Sequence, residues 1–489
     1  MRSENSSFRT AWRLGATAAA VGLLAAGAAY GLPVTGLFPE PEPDYGCCYG
    51  RDVQVETGAT RMRALGPFVE TRAGPGEEEF FAVRPFYSRT VDPAGGRAAS
   101  DWLWPVGRVR VMNRETDAHF AFLVHYRDFD NTDDASRYWF WFLPVYFQGR
   151  DALGEDYRAV FPLGGKLHDF LGRDSIFFVL FPLYSRTTLN DLRTWNVLWP
   201  LISETTGDDT YRFRVFPFYG VSRHGDTSVK RFVMWPFWSS AEYHEPESPG
   251  SGYVLFPLWG HVQLANQETW MVLPPFFRWS HSPKLREAHV PWPFVQTSSG
   301  EVEKFYLWPL WGWKKTAQEE SRFFLWPLCA SRDMERDQQD VRRRRFIPFY
   351  FAETRLASGT NDAPGEVVGR YTQVWPLGSR YQGGDLVSFR VLDLVPGYRL
   401  APVERNWAPL WTLYTHSRQG EQVSDDALWG LFRHNRDARS TYTSIFPLVS
   451  WGGSTDNAGQ VEWSLLKGLV GYRRDGGDRE YRLLYFLRF

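Results

Sequence analysis

Four aspartates in one short stretch are the clearest candidate ligands for a metal ion in this chain. They are Asp128, Asp130, Asp133 and Asp134, within the sequence DFDNTDDA. Carboxylate oxygens in a polar loop are the ligands that Ca²⁺ prefers, but the EF-hand spacing D-x-[DN]-x-[DN]-G is not met. The stretch is a candidate calcium site by composition alone, and a solvated hairpin loop is the simpler interpretation. No other metal site is expected.

Four consecutive arginines form the strongest local concentration of positive charge. They are Arg342, Arg343, Arg344 and Arg345, and they follow the charge-mixed stretch RDMERDQQD. Guanidinium groups bind phosphate oxygens in bidentate geometry, so the cluster is a candidate contact for lipid headgroups or lipopolysaccharide phosphates. The alternative is a charge-balanced hairpin. A formal net charge of −1 over the 489 residues provides no broad basic field, so no nucleic-acid partner is expected.

Catalytic patterns are missing from the sequence. The ten histidines are scattered, without an H-x-x-x-H or H-E-x-x-H pair, and no serine–histidine–acid set or pair of carboxylates stands out. The many Trp and Tyr residues could stack on sugars, but most lie beside prolines, where packing is the simpler interpretation. We therefore expect a protein that is not an enzyme and has no cofactor.

A repeat of about 19 residues organises the chain, and proline marks it. Intervals of 18, 17, 19 and 21 residues separate the five successive repeat prolines from position 182 to position 257. Trp or Phe precedes most of the repeat prolines, and Leu, Phe or Val follows nearly all of them. With degenerate copies included, we count about 23 units. The prolines that define the repeat most clearly are Pro182, Pro200, Pro217, Pro236, Pro257, Pro309 and Pro327.

Each unit has the pattern of a β-strand between turns. In DDTYRFRVFPFYGVSRHGD, residues 208–226, aromatic and β-branched residues alternate with arginines, and turn-forming residues lie at both ends. Loops of four to eight residues are too short for parallel crossovers. The sequence thus predicts an all-β fold, an antiparallel meander of about 22–24 strands of some twelve residues each. Because proline cannot donate a ladder hydrogen bond, we expect it at a bulge or bend in every strand, at the height of a belt that is apolar on both faces.

An apolar belt across so many strands favours a closed β-barrel in the outer membrane. The apolar inner face and the similar loop lengths at both ends argue against a typical porin. The alternative is a soluble or anchored β-repeat sheet, propeller or solenoid in the periplasm or at the cell surface, binding polysaccharide, lipid or protein. A further possibility is an anchored β-groove that carries lipid between membranes.

The C-terminus supports the barrel interpretation. Tyr485, Leu487 and Phe489 alternate with other residues in the closing sequence EYRLLYFLRF. This ending resembles the terminal strand signal of bacterial outer-membrane barrels. The resemblance covers about nine residues and implies that the last strand closes the barrel and is recognised by the envelope assembly machinery.

The N-terminus indicates export. Three arginines precede the uncharged stretch 14–38, and the small residues at positions 26–28 form a possible cleavage site. We therefore assign residues 1–38 to a signal peptide or an uncleaved N-terminal membrane anchor, 39–62 to a Pro/Glu/Cys linker and 63–489 to the repeat β domain. Both interpretations of the first segment place the bulk of the chain outside the cytoplasm.

Together these features predict an exported, non-enzymatic bacterial envelope protein. The favoured interpretation is an outer-membrane β-barrel acting as a pore, transport or structural component. The alternative location is the periplasm, or the inner membrane with the repeat domain outside the cytoplasm. The expected partners are membrane lipid or lipopolysaccharide.

Overall fold

A computed structural model describes residues 45–55, 58–74, 78–246, 248–336, 339–357, 365–454, 459–485 and 487–489. The predicted signal peptide or anchor, residues 1–38, lies outside the described residues. Within them, forty-five strands form one antiparallel sheet in which each strand pairs with its neighbours along the chain. No helix within these residues has the length and apolar character needed to cross a bilayer. The predicted all-β antiparallel meander is therefore confirmed.

The first fifteen strands, β1 to β15, are Tyr49–Val53, Thr60–Ala64, Val69–Ala73, Glu79–Val83, Tyr87–Asp92, Arg97–Trp102, Gly107–Met112, Glu115–Phe120, Val124–Asp128, Tyr138–Phe142, Tyr146–Arg150, Asp156–Val160, Gly164–Phe170, Arg173–Val179 and Tyr184–Leu189. Strands β16 to β30 are Leu192–Val197, Ile202–Gly207, Thr210–Val215, Tyr219–His224, Ser228–Val233, Trp238–Tyr243, Gly250–Leu255, Trp259–Leu264, Gln267–Val272, Phe277–His281, Leu285–His289, Val295–Gly300, Glu303–Leu307, Trp311–Lys315 and Glu319–Phe324.

Strands β31 to β45 are Cys329–Arg336, Gln339–Phe346, Tyr350–Ala357, Val367–Val374, Gly378–Gly383, Leu386–Val391, Tyr414–Gln419, Gln422–Ala427, Phe432–Arg436, Ser440–Ile445, Val449–Ser454, Val461–Leu465, Val470–Asp475, Asp478–Leu483 and Leu487–Arg488. Two short helices, α1 (Ala401–Asn406) and α2 (Ala408–Trp411), lie between β36 and β37. The sheet begins at Tyr49, so the stretch 39–62 that we assigned to a linker contains β1 and the start of β2.

Each repeat folds into a hairpin of two strands, so the predicted strand count and the predicted place of proline are both wrong. The unit 208–226 contains β18, a turn at 216–218 and β19. Pro217 lies in that turn, and the other six repeat-defining prolines occupy equivalent turns after cis peptide bonds. Proline has no N–H to donate to a ladder hydrogen bond. A residue in a chain reversal does not need to donate one, and neither does a residue in a mid-strand bulge. Two strands per unit account for forty-five strands from about 23 units.

The proline turns are themselves hydrogen-bonded to one another. Trp199 donates its backbone N–H to the carbonyl of Pro182 at 2.9 Å, and Trp235 donates to Pro217 at 2.7 Å. The same bond joins Trp326 to Pro309 at 2.7 Å. The residue before proline therefore satisfies its own backbone donor in the preceding turn, which continues the ladder along this edge of the sheet.

The sheet is not closed by backbone hydrogen bonds, so the predicted barrel is not confirmed. Within the described residues, β1 pairs only with β2 and β45 only with β44. Side chains instead join strands near the two ends. Arg63 of β2 forms an ion pair with Asp426 of β38. A Cβ added to Gly50 would lie 2.3 Å from Nη2 of Arg433, so the Arg433 guanidinium lies directly against the β1 backbone where the two ends meet.

The segment that carries α1 and α2 completes this junction, which we call the seam. Trp407 Nε1 donates to the carbonyl of Trp104 at 2.8 Å, and Asn406 Nδ2 donates to the carboxylate of Asp101 at 2.9 Å. Nearer β36, the same segment contacts β34: the side-chain amide of Gln373 donates to the carbonyl of Val395 at 2.9 Å and accepts from the N–H of Gly397 at 2.9 Å. The segment thus links strands β6 and β34, which are far apart in the chain.

We expect the stability of the seam to depend on pH through Glu70 of β3, because its ion-pair partner Arg84 donates a hydrogen bond to the carbonyl of Arg405 in α1. Its burial alone would raise the pKa, but Arg84, Arg72 and Arg61 outweigh burial and lower the pKa of Glu70 to about 2. Because this value lies below the ordinary value of 4.5, the carboxylate contributes its full stabilisation above pH 4.5. The contribution, about 3 kcal/mol, is lost as the pH falls toward 2.

Urea unfolding from pH 7 to pH 2 checks this expectation. The difference in free energy of unfolding between the wild type and Glu70→Gln should be largest at neutral pH and should shrink toward zero near pH 2. Glu303→Gln, which changes an exposed carboxylate in β28, is the matched control. A difference that does not vary with pH would contradict the role given to Glu70.

Candidate functional site

One edge of the sheet is apolar and the other is polar. Because adjacent strands are antiparallel, every second turn lies at the same edge, and all the turns that contain a repeat proline lie together. We call this edge the apolar rim. It consists of residues 65–68, 84–86, 103–106, 121–123, 143–145, 161–163, 180–183, 198–201, 216–218, 234–237, 256–258, 273–276, 290–294, 308–310, 325–328, 347–349, 375–377, 428–431, 446–448, 466–469 and 484–485.

The residue after the proline is large, apolar and exposed in turn after turn of the rim. Its exposed fraction runs from 42% at Leu328 to 69% at Leu377. Singly exposed apolar side chains are ordinary, but contiguous patches beyond a few hundred Å² mark interaction sites. This column consists of Phe68, Phe86, Val145, Leu163, Leu183, Leu201, Phe218, Phe237, Leu258, Phe276, Phe294, Leu310, Leu328, Phe349, Leu377 and Leu448.

Several rim turns hold leucine in a backbone conformation that favours glycine. The φ angles of Leu180, Leu198 and Leu325 are 46°, 48° and 47°, and Met234 has the same conformation at 48°. An L-residue with a side chain pays roughly 1–2 kcal/mol there compared with its right-handed form. Glycine would avoid this penalty, so the choice of leucine or methionine places an apolar side chain on the rim at a cost in local strain.

Aromatic rings before the prolines contact one another from turn to turn. Phe181 and Trp199 have ring centroids 5.7 Å apart, and the centroids of Trp308 and Trp326 are 5.9 Å apart. These separations are typical of favourable aromatic pairs. Trp199 and Trp326 nevertheless remain 47% and 48% exposed. Indole rings at the end of an apolar surface are characteristic of the membrane–water boundary.

The opposite edge has the composition expected of a solvated surface. Its turns contain Asn190 and Asp191, Asp208 and Asp209, and the stretch Gly225–Thr227. Asn, Asp and Gly suit such turns because they tolerate positive φ and hydrogen-bond locally. Charges also appear in the middle of strands, for example at Arg186. Exposed apolar side chains are therefore concentrated at the rim and the strand ends beside it, and polar-edge turns carry isolated ones such as Leu153 and Leu171.

The described chain begins at the rim. The carbonyl of Cys47 accepts a hydrogen bond from the N–H of Gly66 at 2.5 Å, and that of Cys48 accepts from Leu65 at 3.0 Å. Residues 45–48 therefore lie beside the rim turn 65–68. Only residues 39–44 separate them from the uncharged stretch 14–38 in the sequence. Six residues span at most about 20 Å even when fully extended.

The structure places the four candidate calcium ligands at the polar edge without converging them on one point. Asp128 is buried and accepts hydrogen bonds from Tyr126 and Ser136. The carboxylate of Asp130 accepts from Thr132, and that of Asp133 accepts from the N–H of Ala135. Asp134 lies in the same loop. Among the described residues, no group of three or more His, Cys, Asp or Glu side chains could hold a metal ion.

The four-arginine cluster is divided between the two faces of β32. Arg343 forms an ion pair with Glu353 at 2.8 Å and shares a face with Arg345. Arg342 and Arg344 point to the opposite face and are exposed. The alternation of a strand thus separates residues that are adjacent in the sequence, and the cluster does not act as a single phosphate site.

The predicted terminal strand is interrupted. A turn that contains Tyr485 separates β44 from β45, and Leu487 pairs with Leu483 across it. Phe489 exchanges backbone hydrogen bonds with Tyr481 at 3.0 Å. The described residues 481–485 and 487–489 therefore form a hairpin at the rim, and the expected single closing strand is wrong. The alternating apolar residues lie in a turn and in two short strands.

The residues of the rim turns were recognised in the sequence as a proline-centred apolar belt, but their position at an edge was missed. A signal for it exists. Each unit contains about six residues between its proline and the nearest Gly, Asp or Asn cluster, which suits a short strand with a turn at each end. No protein-family model matches the chain, and no curated protein shows significant similarity to it.

Proposed function

We propose that this chain is an exported, non-enzymatic bacterial envelope protein that binds a lipid surface edge-on through its apolar rim. The observation that carries the proposal is the row of exposed Leu, Phe, Val and Trp side chains that recurs in turn after turn along one edge of the sheet, opposite a polar edge. Such a surface gains free energy on entering the headgroup and acyl boundary, as the apolar face of an interfacial helix does.

Strand length favours edge-on binding over the spanning barrel. Apart from the two-residue β45, the strands contain five to eight residues, about 17–27 Å of chain. A strand that crosses a bilayer at a tilt needs about 9–11 residues. Arg186 and Glu204 lie in the middle of their strands on the outer face, where a lipid-facing band would have to be. A charge there costs up to about 2–4 kcal/mol.

The start of the chain supports the same orientation. If the uncharged stretch 14–38 serves as an anchor, it holds the membrane at the edge where Tyr45 and the rim turn 65–68 lie. Export, an outer-membrane location and a structural or transport role remain predictions from the sequence. The anchored lipid-binding scaffold, which was the alternative to the barrel, agrees best with the short strands and the apolar rim.

Site-specific labelling tests the proposal. The free cysteines Cys47, Cys48 and Cys329 are replaced by serine, and an environment-sensitive fluorophore is attached to Leu201→Cys at the rim or to Asp209→Cys at the polar edge. On addition of phosphatidylcholine vesicles, we expect a blue shift and quenching by brominated lipid for the label at position 201 only. Equal responses at both positions would support a spanning sheet, and no response at either position would refute membrane binding.

A further inference from the structure

A groove lies on the inner face of the sheet, the face that carries the buried Ser185, Ser203 and Thr205. It has a volume of about 920 Å³ and is lined by residues of β11 to β23 and their turns. Residues as distant as Phe147 and Val262 line the same space, so the sheet curves strongly around it. The volume is near the upper end of the range for small-molecule sites.

The groove has an apolar wall that continues into the rim. Phe178 belongs to the hydrophobic core of the sheet, and its ring faces that of Phe161, whose centroid is 6.0 Å away. Phe181, Trp199 and Trp235 also line the groove, and each directly precedes a proline of the rim. The groove is therefore in contact with the surface that we propose meets lipid.

The floor of the groove offers hydroxyl and amide groups at regular intervals. Asn196 Nδ2 donates to Ser185 Oγ at 3.1 Å, and the hydroxyls of Thr194 and Thr205 lie 2.8 Å apart. These small side chains are opposite one another on neighbouring strands, so they form continuous rows. Such rows can donate hydrogen bonds to the oxygens of a ligand without filling the groove.

Three cations lie next to these rows. On β18, Arg214 is opposite Ser203 and Arg212 is opposite Thr205. Lys230 of β20 is opposite Ser222 of β19. Strand spacing and rise place the backbones of Arg212 and Arg214 about 7 Å apart, and that of Lys230 about 10 Å from the first and about 12 Å from the second. The groove lining contains no Asp or Glu, and within the described residues no carboxylate lies within ion-pairing distance of these three side chains.

We propose that this groove binds an anionic phospholipid, with the phosphate at Arg212, Arg214 and Lys230 and the acyl chains along the aromatic wall toward the rim. A phosphate can accept several charge-assisted hydrogen bonds at once, which suits three cations better than a single carboxylate would. The apolar wall suits the acyl chains of the lipid, and the absence of acidic side chains from the groove lining suits its negatively charged phosphate. This inference goes beyond rim binding and does not depend on it.

Titration with monomeric lipid tests the groove without a bilayer. Dioctanoyl phosphatidylglycerol is added below its micelle concentration to the delipidated full chain, and binding is followed by calorimetry. We expect saturable binding at one site and at least about tenfold weaker binding of dioctanoyl phosphatidylcholine. Octanoate and inorganic phosphate, each alone, should bind far more weakly than the phospholipid, because each supplies only one half of the ligand.

Charge-neutral variants locate the site. Replacing Arg212, Arg214 and Lys230 with glutamine should weaken phosphatidylglycerol binding at least about thirtyfold. The control makes the same change at Arg186, Arg193 and Arg223, which lie on the outer face of neighbouring strands, and should bind as the wild type does. Equal loss in both variants, unchanged binding in the first, or binding of octanoate as tight as that of the phospholipid would overturn the proposal. Vesicle binding through the rim is measured separately, so the two proposals can fail independently.

Discussion

Replacing Leu183, Leu201, Leu258 and Leu310 with serine is expected to lower partitioning onto phosphatidylcholine vesicles at least a hundredfold. These leucines follow four rim prolines and are 44–59% exposed. Moving the exposed half of a leucine from water into lipid yields roughly 1 kcal/mol, so four of them contribute about 4 kcal/mol. Each 1.4 kcal/mol corresponds to a factor of ten.

Vesicle flotation measures this effect, and zwitterionic lipid removes most of the contribution of charge. The matched control replaces four exposed polar-edge residues, Asp191, Asp226, Glu245 and Gln318, with serine. Circular dichroism and urea unfolding should be unchanged in both variants, because none of the eight side chains is buried. If the rim variant floats as well as the control does, the rim is not the membrane-binding surface.

Replacing Arg84 with methionine is expected to destabilise the seam by about 3–5 kcal/mol. The Arg84 side chain is fully buried and lies 2.8 Å from the Glu70 carboxylate. It also donates to the carbonyls of Arg405 at 2.7 Å and Pro67 at 2.9 Å. Methionine fills a similar space but leaves the buried carboxylate with Arg72 as its only close cation among the described residues and leaves two carbonyls without their donor.

Hydrogen exchange can show where this loss occurs. In a meander each strand contacts mainly its neighbours, so destabilisation stays local. We expect amide protection to fall a hundredfold or more in β2–β7 and α1, and to remain unchanged in β20–β30. The control is Arg89→Met, which changes an arginine on the outer face of β5. A uniform fall across the whole sheet, or a loss smaller than tenfold at the seam, would contradict the role given to Arg84.

The position of the proline shows how far local sequence patterns reach. Both a kinked twelve-residue strand and a hairpin of two six-residue strands produce a 19-residue period, and both interrupt alternation at Pro217. The alternation of side chains in β18 and β19 is the same for a kinked strand and for a hairpin. In the hairpin, Val215 and Tyr219 are opposite each other on the two sides of the turn. Only the backbone hydrogen bonds distinguish the kinked strand from the hairpin. These bonds join residues on different strands, and the spacing of residue types along the chain does not specify them.

The amino-acid sequence by itself determined the all-β class, the antiparallel meander, the number of units and the apolar column on each side of the prolines. These properties depend on turn chemistry and on side-chain alternation, which act over a few residues. The tertiary structure alone decided that the column forms a rim, that Arg63 meets Asp426, and that the groove gathers Arg212, Arg214 and Lys230 beside an apolar wall. Such contacts follow from twist and curvature accumulated over many strands, and no short stretch of sequence encodes that sum.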